Sequence, residues 1–348
     1  MNILMVGPGS NEKGGMATVI SNFKQYFNEP EVHLFFLDSW TKSKKWRTEY
    51  LAYVRIRKMI HTKQIDLVHF HVAQKGSFFR KALLAKLVPK NCRVIFHMHA
   101  SQFDLFYKQS SKLAKWWIRR TLNRLDGVVA LSENWAAFYE NLTSARVSVI
   151  PNAVKIPEKT LFNPEALNII TLGRVGKRKG SFDLLEIAKK IYPFFPKVRF
   201  ILYGDGELEE ISKKIREEKI QNVSLGGWIL AEEQERVLQN AILHFLPSYS
   251  EGLPMAILET MGAGIPNLTT KVGGIPEVIR SGENSLLVLP GDLDEMLEKL
   301  LFFLSVPRLQ NDLSQEARLT VQKDFSIGSY HAKWVSLYQK TLNDKNPD

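Results

Sequence analysis

The chain has 348 residues, 45% of them hydrophobic and 24% charged, with a mean hydropathy of −0.16 and a single cysteine. Such a composition excludes a disordered polyelectrolyte, a lone small domain and a disulfide scaffold, and no run of about eighteen apolar residues offers a membrane-crossing helix. The net charge of +11 is unevenly placed: residues 1–155 hold 24 Lys/Arg against 10 Asp/Glu, net +14, whereas residues 156–348 hold 23 against 26, net −3, so any polyanionic or anionic-surface partner concerns the N-terminal half.

From the N-terminus, apolar runs at 3–6, 32–37, 67–70, 93–97, 128–131 and 147–150 have the length and make-up of strands, and between them lie helical patterns at 16–27, 50–61, 78–87, 111–125 and 133–140. This alternation predicts a parallel sheet with right-handed crossovers. Pro151, Pro157 and Pro164 punctuate a stretch without periodicity, which marks a linker. Beyond it the same style resumes, with strands at 168–172, 199–203, 223–225, 243–246, 267–269 and 286–288 and a last helix at 329–341. The expected fold class is α/β, with two Rossmann-like doubly wound domains at 1–155 and 165–325 and a C-terminal segment at 326–348. The start Met1-Asn-Ile-Leu-Met-Val-Gly7 lacks the basic leader of a signal peptide and Cys92 stands alone, so a cytoplasmic location is expected.

Ligands of open parallel sheets collect beyond the carboxyl ends of the strands, so the loops there carry the candidate chemistry. In Pro247-Ser-Tyr-Ser-Glu-Gly-Leu-Pro-Met-Ala-Ile-Leu-Glu259, Pro254 suits the first position of a helix that runs through Met255 to Gly262. Glu251 is then expected to point out of the preceding loop and Glu259 to be held on the second helical turn. The free N–H groups of the helix start lie between them as a seat for an anion. Upstream, Leu172-Gly-Arg-Val-Gly-Lys-Arg-Lys-Gly180 follows a strand and precedes an amphipathic stretch, so Arg174 and Lys179 are two cations at a helix start.

The loop Gly7-Pro-Gly-Ser-Asn-Glu-Lys-Gly-Gly15 opens a helix at Met16, where Gly14 and Gly15 can bring bare backbone N–H groups against a diphosphate. It departs from Gly-x-Gly-x-x-Gly, which argues against a dinucleotide dehydrogenase. Asp292-Leu-Asp294 follows Pro290-Gly291 and opens a helix, so it is a cap and not a metal motif. His97 and His99 are read as alternating about a strand end, with one of them facing a ligand; without further ligands nearby they make a poor zinc site.

A strand, a glycine turn and Arg-x4-Lys-Gly, followed by Glu-x7-Glu, closely resemble the nucleotide-sugar half of glycosyltransferase family 4. Tyr203-Gly-Asp-Gly-Glu207, Leu225-Gly-Gly-Trp228 and Gly273-Gly-Ile-Pro-Glu277 add to the match in the family's order. The resemblance implies the GT-B fold, two domains facing a cleft, with the acceptor on the first domain, the donor on the second, and the last helix returning to the first. It also implies retaining transfer of a hexosyl unit from a nucleotide diphosphate sugar to a saccharide acceptor, lipid-linked, in bacterial surface polysaccharide biosynthesis, with no metal or other cofactor.

In that reading Arg174 and Lys179 stabilise the departing diphosphate, Glu259 accepts the ribose hydroxyls, and Glu251 with Gly252 and Leu253 contacts the donor sugar. Trp228 lies beside the nucleobase or fills the cleft wall while the backbone there reads the base, Gly14 and Gly15 approach the diphosphate, and His99 touches donor sugar or acceptor near the anomeric carbon. The catalytic group is Glu251, His99, Arg174 and Lys179, and Gly273, Gly274 and Glu277 form a further glycine turn toward the donor.

A glycoside hydrolase would use Glu251 and Glu259 as acid and nucleophile but would leave Arg174 and Lys179 idle. A sugar-nucleotide epimerase of the same fold would act with no acceptor. Nucleic acid is excluded as partner because the basic half carries no recognition motif. Residues 111–124, with Lys112, Lys115, Arg119, Arg120 and Arg124 among Trp116, Trp117 and Ile118, have the make-up of an interfacial helix, which predicts peripheral attachment to an anionic membrane surface at the inner face of the cell membrane.

Overall fold

The computed structural model describes residues 1–9, 12–43 and 45–344, and the chain divides into two units, Met1–Ala153 with Ile327–Asp348 and Val154–Ser326. Unit 1 contains β1 (Asn2–Pro8), α1 (Gly15–Tyr26), β2 (His33–Trp40), α2 (Lys45–Thr62), β3 (Leu67–Val72), α3 (Gly76–Ala85), β4 (Arg93–Met98), α4 (Phe103–Gln109), α5 (Lys112–Leu122), β5 (Gly127–Ala130), α6 (Glu133–Glu140) and β6 (Val147–Val149). Its sheet runs β2-β1-β3-β4-β5-β6 with every pair parallel. β3 is buried at all six positions, as a strand covered on both faces must be. On one side Phe70, Val72 and Phe96 pack with Phe78 and Ala82 of α3.

Unit 2 contains β7 (Asn168–Leu172), α7 (Ser181–Ile191), β8 (Arg199–Tyr203), α8 (Leu208–Glu217), β9 (Val223–Gly227), α9 (Ala231–Gln239), β10 (Ala241–Leu246), α10 (Met255–Gly262), β11 (Asn267–Thr270), β12 (Leu286–Val288), α11 (Leu293–Ser305) and α12 (Pro307–Asp324). The final helix, α13 (Ile327–Asn343), belongs to unit 1, where Trp334 stacks on His69 with 4.4 Å between ring centroids. The second sheet runs β12-β11-β10-β7-β8-β9, again all parallel. Its strand order reverses between β7 and β10, the kind of switch point where loops leave neighbouring strands in opposite directions and make room for a ligand. Both loops singled out from the sequence leave these two strands, after Leu172 and after Leu246.

Several elements differ from the sequence-based expectation, among them α8, α9 and α12, which it did not place. Residues 103–109 form the short helix α4, whose buried residue is Phe103, too short a pattern to show a period. Helix α2 begins at Lys45, five residues before the expected start, because its first turns carry Trp46 and Tyr50 outward and so lack an inward apolar stripe.

Candidate functional site

The switch point of unit 2 is closed by a polar clasp. After β7 the chain makes a single 3-10 turn at Lys177–Lys179, and Gly180 caps α7 in a left-handed conformation, φ +67°. A Cβ at Gly180 would lie 1.9 Å from the Pro247 carbonyl oxygen, so only glycine lets the two loops touch. The Tyr249 N–H then donates to the Arg178 carbonyl at 2.9 Å, and Arg178 Nη1 donates to the Ser250 carbonyl at 2.7 Å. Within this frame Glu251 Oε1 accepts from Lys179 Nζ and from Ser248 Oγ, each at 2.6 Å, while Arg178 Nη1 stands 3.6 Å from Oε2.

Glu251 therefore does not point out of its loop as expected. It is buried, 6% exposed, because a carboxylate with two cations and a hydroxyl is solvated from within. Burial works to raise its carboxyl, but the Lys179 and Arg178 charges, with the hydrogen bonds from Lys179 and Ser248, outweigh it and hold the group below the ordinary range. Gly252 and Leu253 are buried beside it. Gly273 also lies close, where a Cβ would come 2.0 Å from the Glu251 carbonyl oxygen, and the Gly274 N–H donates to the Gly252 carbonyl at 2.7 Å.

Glu259 has the opposite character. It lies on the second turn of α10, with Pro254 as the residue before the first turn, and its carboxylate has no hydrogen bond or ion pair among the described residues. Burial pushes its carboxyl up to about 7. Arg174 is exposed and likewise has no ion pair among the described residues. The loop that carries it is braced from behind by the Tyr203-to-Glu207 motif: Val175 N–H donates to the Asp205 carbonyl at 2.6 Å and Lys177 N–H to Glu207 Oε2 at 3.2 Å. Trp228 follows β9 and is 38% exposed. Asp292 is a cap, accepting from the Glu295 N–H at 2.9 Å.

The arrangement thus brings Glu251 and Lys179 into contact, with Arg174 in the same loop as Lys179 and Glu259 on the helix that follows Glu251. Arg178 and Ser248 were missed by sequence reasoning. Arg178 was hidden within the charged run Lys177-Arg178-Lys179, and a hydroxyl three residues before Glu251 gave too faint a signal.

The remaining expected residues, Gly14, Gly15 and His99, belong to unit 1. Gly14 is the residue before α1 and Gly15 its first; positions 10 and 11 of that loop lie outside the described residues. His97 and His99 do not alternate. Two residues apart, His97 within β4 and His99 just past its end, they share a face, with ring centroids 4.0 Å apart. They are also joined by neighbours that the expectation left out, since His71 Nδ1 lies 3.0 Å from His99 Nε2 and His69 Nδ1 lies 2.8 Å from the Tyr338 hydroxyl.

The ligand atoms of His69, His71 and His97 lie within 4.8 Å of one another, the one such group among the described residues. Yet the His69 and His71 rings are stacked, 4.4 Å apart and 16° from parallel. Their in-plane lone pairs run side by side and do not converge on one ion. Burial keeps these imidazoles neutral, pulling His99 down to about 3 with help from the Lys81 charge. The layer is an aromatic floor beneath the end of β4, of which His99 is the partly exposed member.

Comparison with known proteins agrees with this architecture. Residues 153–320 match the family described as glycosyl transferases group 1, and residues 13–156 match glycosyltransferase family 4. The chain is 26% identical over 326 residues to an uncharacterized 41.2 kDa protein in the cps region of Klebsiella pneumoniae, covering 86% of this chain and 88% of that one. It is 23% identical over 338 residues to the Escherichia coli UDP-Gal:alpha-D-GlcNAc-diphosphoundecaprenol alpha-1,3-galactosyltransferase, covering 89% and 84%. Among solved structures it is similar in fold to sucrose-phosphate synthase from Thermosynechococcus elongatus, with a TM-score of 0.81, 16% identity and coverage of 99% and 100%. Anabaena HepE in complex with UDP-glucose gives a TM-score of 0.76, 17% identity and coverage of 98% and 100%.

Proposed function

Because the chain belongs to the glycosyltransferases of family 4 type, with the GT-B fold of two α/β domains, we propose that it moves a hexosyl unit from a nucleotide diphosphate sugar, with retention, onto a lipid-linked saccharide in bacterial surface polysaccharide synthesis. The observation that carries the donor assignment is the clasp at the strand-order reversal of unit 2. Lys179 has three N–H donors and spends one on Glu251, so two remain for diphosphate oxygens. The exposed Arg174 adds a second, bidentate cation, and the N-terminus of α10 adds backbone N–H groups.

Glu259 supplies the acceptor oxygens that ribose hydroxyls require, Trp228 flanks the base, and Gly252 and Leu253 line the sugar. In unit 1, taken by itself, Gly14 and Gly15 offer main-chain N–H groups suited to a phosphate and His99 is the residue suited to contact a sugar or acceptor. In the transfer, the bond from the anomeric carbon to the diphosphate oxygen breaks, the acceptor oxygen bonds to the same face of that carbon, and the acceptor proton passes to the departing phosphate. No side-chain nucleophile and no metal is required by this account. Preorganised cations that strengthen as charge builds on the leaving group supply the catalysis.

The relatives support the substrate classes. The Escherichia coli relative is named for a UDP-galactose donor and a diphosphoundecaprenol-linked acceptor, and HepE was solved with UDP-glucose. Uridine diphosphate sugars are thus the first donors to test. A thermal-shift panel of nucleotide sugars decides: the preferred donor at 100 times its dissociation constant stabilises by about 2.7 kcal/mol. Lys179→Ala and Glu259→Ala abolish that shift, and full retention of the shift in both variants would sink the site. Release of nucleoside diphosphate only when acceptor is supplied separates transfer from epimerisation and hydrolysis.

A further inference from the structure

Helix α2 has two apolar stripes where a surface helix needs one. Ala52, Ile56 and Ile60 face inward and are buried, as packing on the sheet requires. Trp46, Tyr50 and Val54, spaced four residues apart on a second stripe, are 78%, 68% and 56% exposed. The other exposed large hydrophobic side chains among unit 1's described residues sit on α3, α4 and α5, most prominently Leu113 and Trp116 of α5.

These helices form one continuous layer. Tyr53 of α2 reaches the Arg80 carbonyl of α3, Phe79 of α3 stacks on Trp117 of α5 at 4.9 Å, and Lys115 of α5 lies over the Tyr107 ring of α4. Contrary to the sequence reading, Trp117 and Ile118 serve this internal packing, Ile118 being fully buried; the outward residues of α5 are Leu113 and Trp116 with Lys112, Arg119 and Arg120. Charge is concentrated on the stretch of chain that carries these helices. Residues 45–124 hold 18 Lys/Arg against 3 Asp/Glu, net +15, which exceeds the +11 of the whole chain.

We propose that the α2–α5 face of unit 1 is a lipid-docking surface, with Trp46, Tyr50 and Val54 of α2 inserted beside Leu113 and Trp116 of α5 among the headgroups of an anionic bilayer. The proposal deepens the reading of a lipid-linked acceptor and rests on it. Aromatic and aliphatic side chains ringed by Lys and Arg match the boundary between acyl chains and anionic headgroups: the rings take the apolar side, and the cations meet phosphate. A nucleic-acid groove would satisfy the cations but leave Val54 and Leu113 in water. No helix among the described residues is long and apolar enough to cross a membrane, so attachment by this face is interfacial.

The test is co-sedimentation of the full chain with phosphatidylcholine vesicles, with and without phosphatidylglycerol. The expected result is binding to the anionic vesicles that falls as salt rises. Each cation near an anionic surface is worth about 1 kcal/mol, or about fivefold, so Arg119→Gln with Arg120→Gln weakens binding about 25-fold. Trp46→Ser with Tyr50→Ser weakens it by about tenfold or more, since both rings lose the acyl boundary.

All these positions are exposed, and an unchanged nucleotide-induced thermal shift in each variant shows that the fold and unit 2 are intact. Wild-type binding by both double variants overturns the proposal. So does a dimer in solution whose interface protects α2 and α5, or preferential binding to duplex DNA over vesicles. In the wild-type protein, absent vesicle binding with an intact nucleotide shift overturns the proposal and leaves the donor site standing, and an absent nucleotide shift with intact vesicle binding condemns the donor site alone.

Discussion

Removing Lys179 is the most direct perturbation of the donor site, and its cost can be worked from the clasp. Breaking a buried ion pair by deleting one partner costs about 3–5 kcal/mol, because the other charge is left without compensation. Here Arg178 at 3.6 Å and Ser248 at 2.6 Å still serve Glu251, so Lys179→Ala falls at the low end, about 3 kcal/mol. For a unit the size of Val154–Ser326, each kcal/mol moves the midpoint by about 2–4 °C, so calorimetry should show a loss of about 6–12 °C.

The charge-neutral pair Lys179→Met with Glu251→Gln should recover most of that loss, since no buried charge is left without a partner: Arg178 is 35% exposed and still donates to the Ser250 carbonyl. The effect also has a pH signature. Glu251 is held below its ordinary range, so the pair's stabilisation is present above the unfolded value of 4.5 and is lost as pH falls through the folded value; the gap between wild type and Lys179→Ala should narrow under acid. Lys213→Ala, at a lysine that only meets exposed Glu217 at 3.7 Å, is the control. If Lys179→Ala melts within about 2 °C of that control at neutral pH, the clasp does not hold the loop and the argument from it fails.

Other outcomes separate ligand contacts from fold contacts. Arg174→Ala, at an exposed side chain without an ion pair among the described residues, should leave the midpoint unchanged while weakening nucleoside diphosphate binding about 10- to 100-fold in calorimetric titration. Glu259 holds its proton more tightly folded than unfolded, so its stabilising contribution is complete below pH 4.5 and is lost as pH rises to about 7. Glu259→Gln should therefore match wild type in acid and exceed it at pH 8, by as much as about 3 kcal/mol, while losing the tightening of nucleotide binding that wild type gains as the carboxylate ionises. Gly180→Ala combines a left-handed backbone with a Cβ 1.9 Å from the Pro247 carbonyl, and should cost about 3 kcal/mol or more in urea melts.

The sequence made both sheets legible because parallel strands buried on two faces read as unbroken apolar runs; β7, β8 and β12 lie where the pattern placed them. It also located the loops, since glycines at 173, 176 and 180 and the proline before α10 are local signals. What it could not show is which charges cancel. Glu251 and Lys179 are 72 positions apart, and only the meeting of β7 with β10 puts them at 2.6 Å. For the same reason Glu251, expected as an outward acid, is the buried anchor, whereas Glu259 sits on the second turn of α10 as expected, and its lack of a charged partner among the described residues could not be read from the sequence. The shared face of His97 and His99 follows from a period of two and contradicts the alternation expected of them, while its extension to His69 and His71 depends on the pairing of β3 with β4 that the structure shows.

Charge distribution leads to a last prediction that treats the two units as opposites. Unit 2, assigned here to bind a dianionic donor, holds 21 Lys/Arg against 24 Asp/Glu in residues 154–326, so its overall field repels that donor. Affinity must then arise from short contacts to Arg174, Lys179 and helix-start N–H groups, where a mobile salt ion screens little. The +15 of residues 45–124 lies mostly on α2–α5 and the segments joining them, where attraction to an anionic surface acts across the solvent and collapses as the Debye length shrinks from about 10 Å at 0.1 M salt to about 3 Å at 1 M. Raising salt over that range should release the protein from anionic vesicles while shifting the dissociation constant for nucleoside diphosphate by less than about tenfold. Equal salt sensitivity of the two equilibria would mean that nucleotide is drawn in by long-range field, and that the clasp at the β7–β10 reversal is not where it binds.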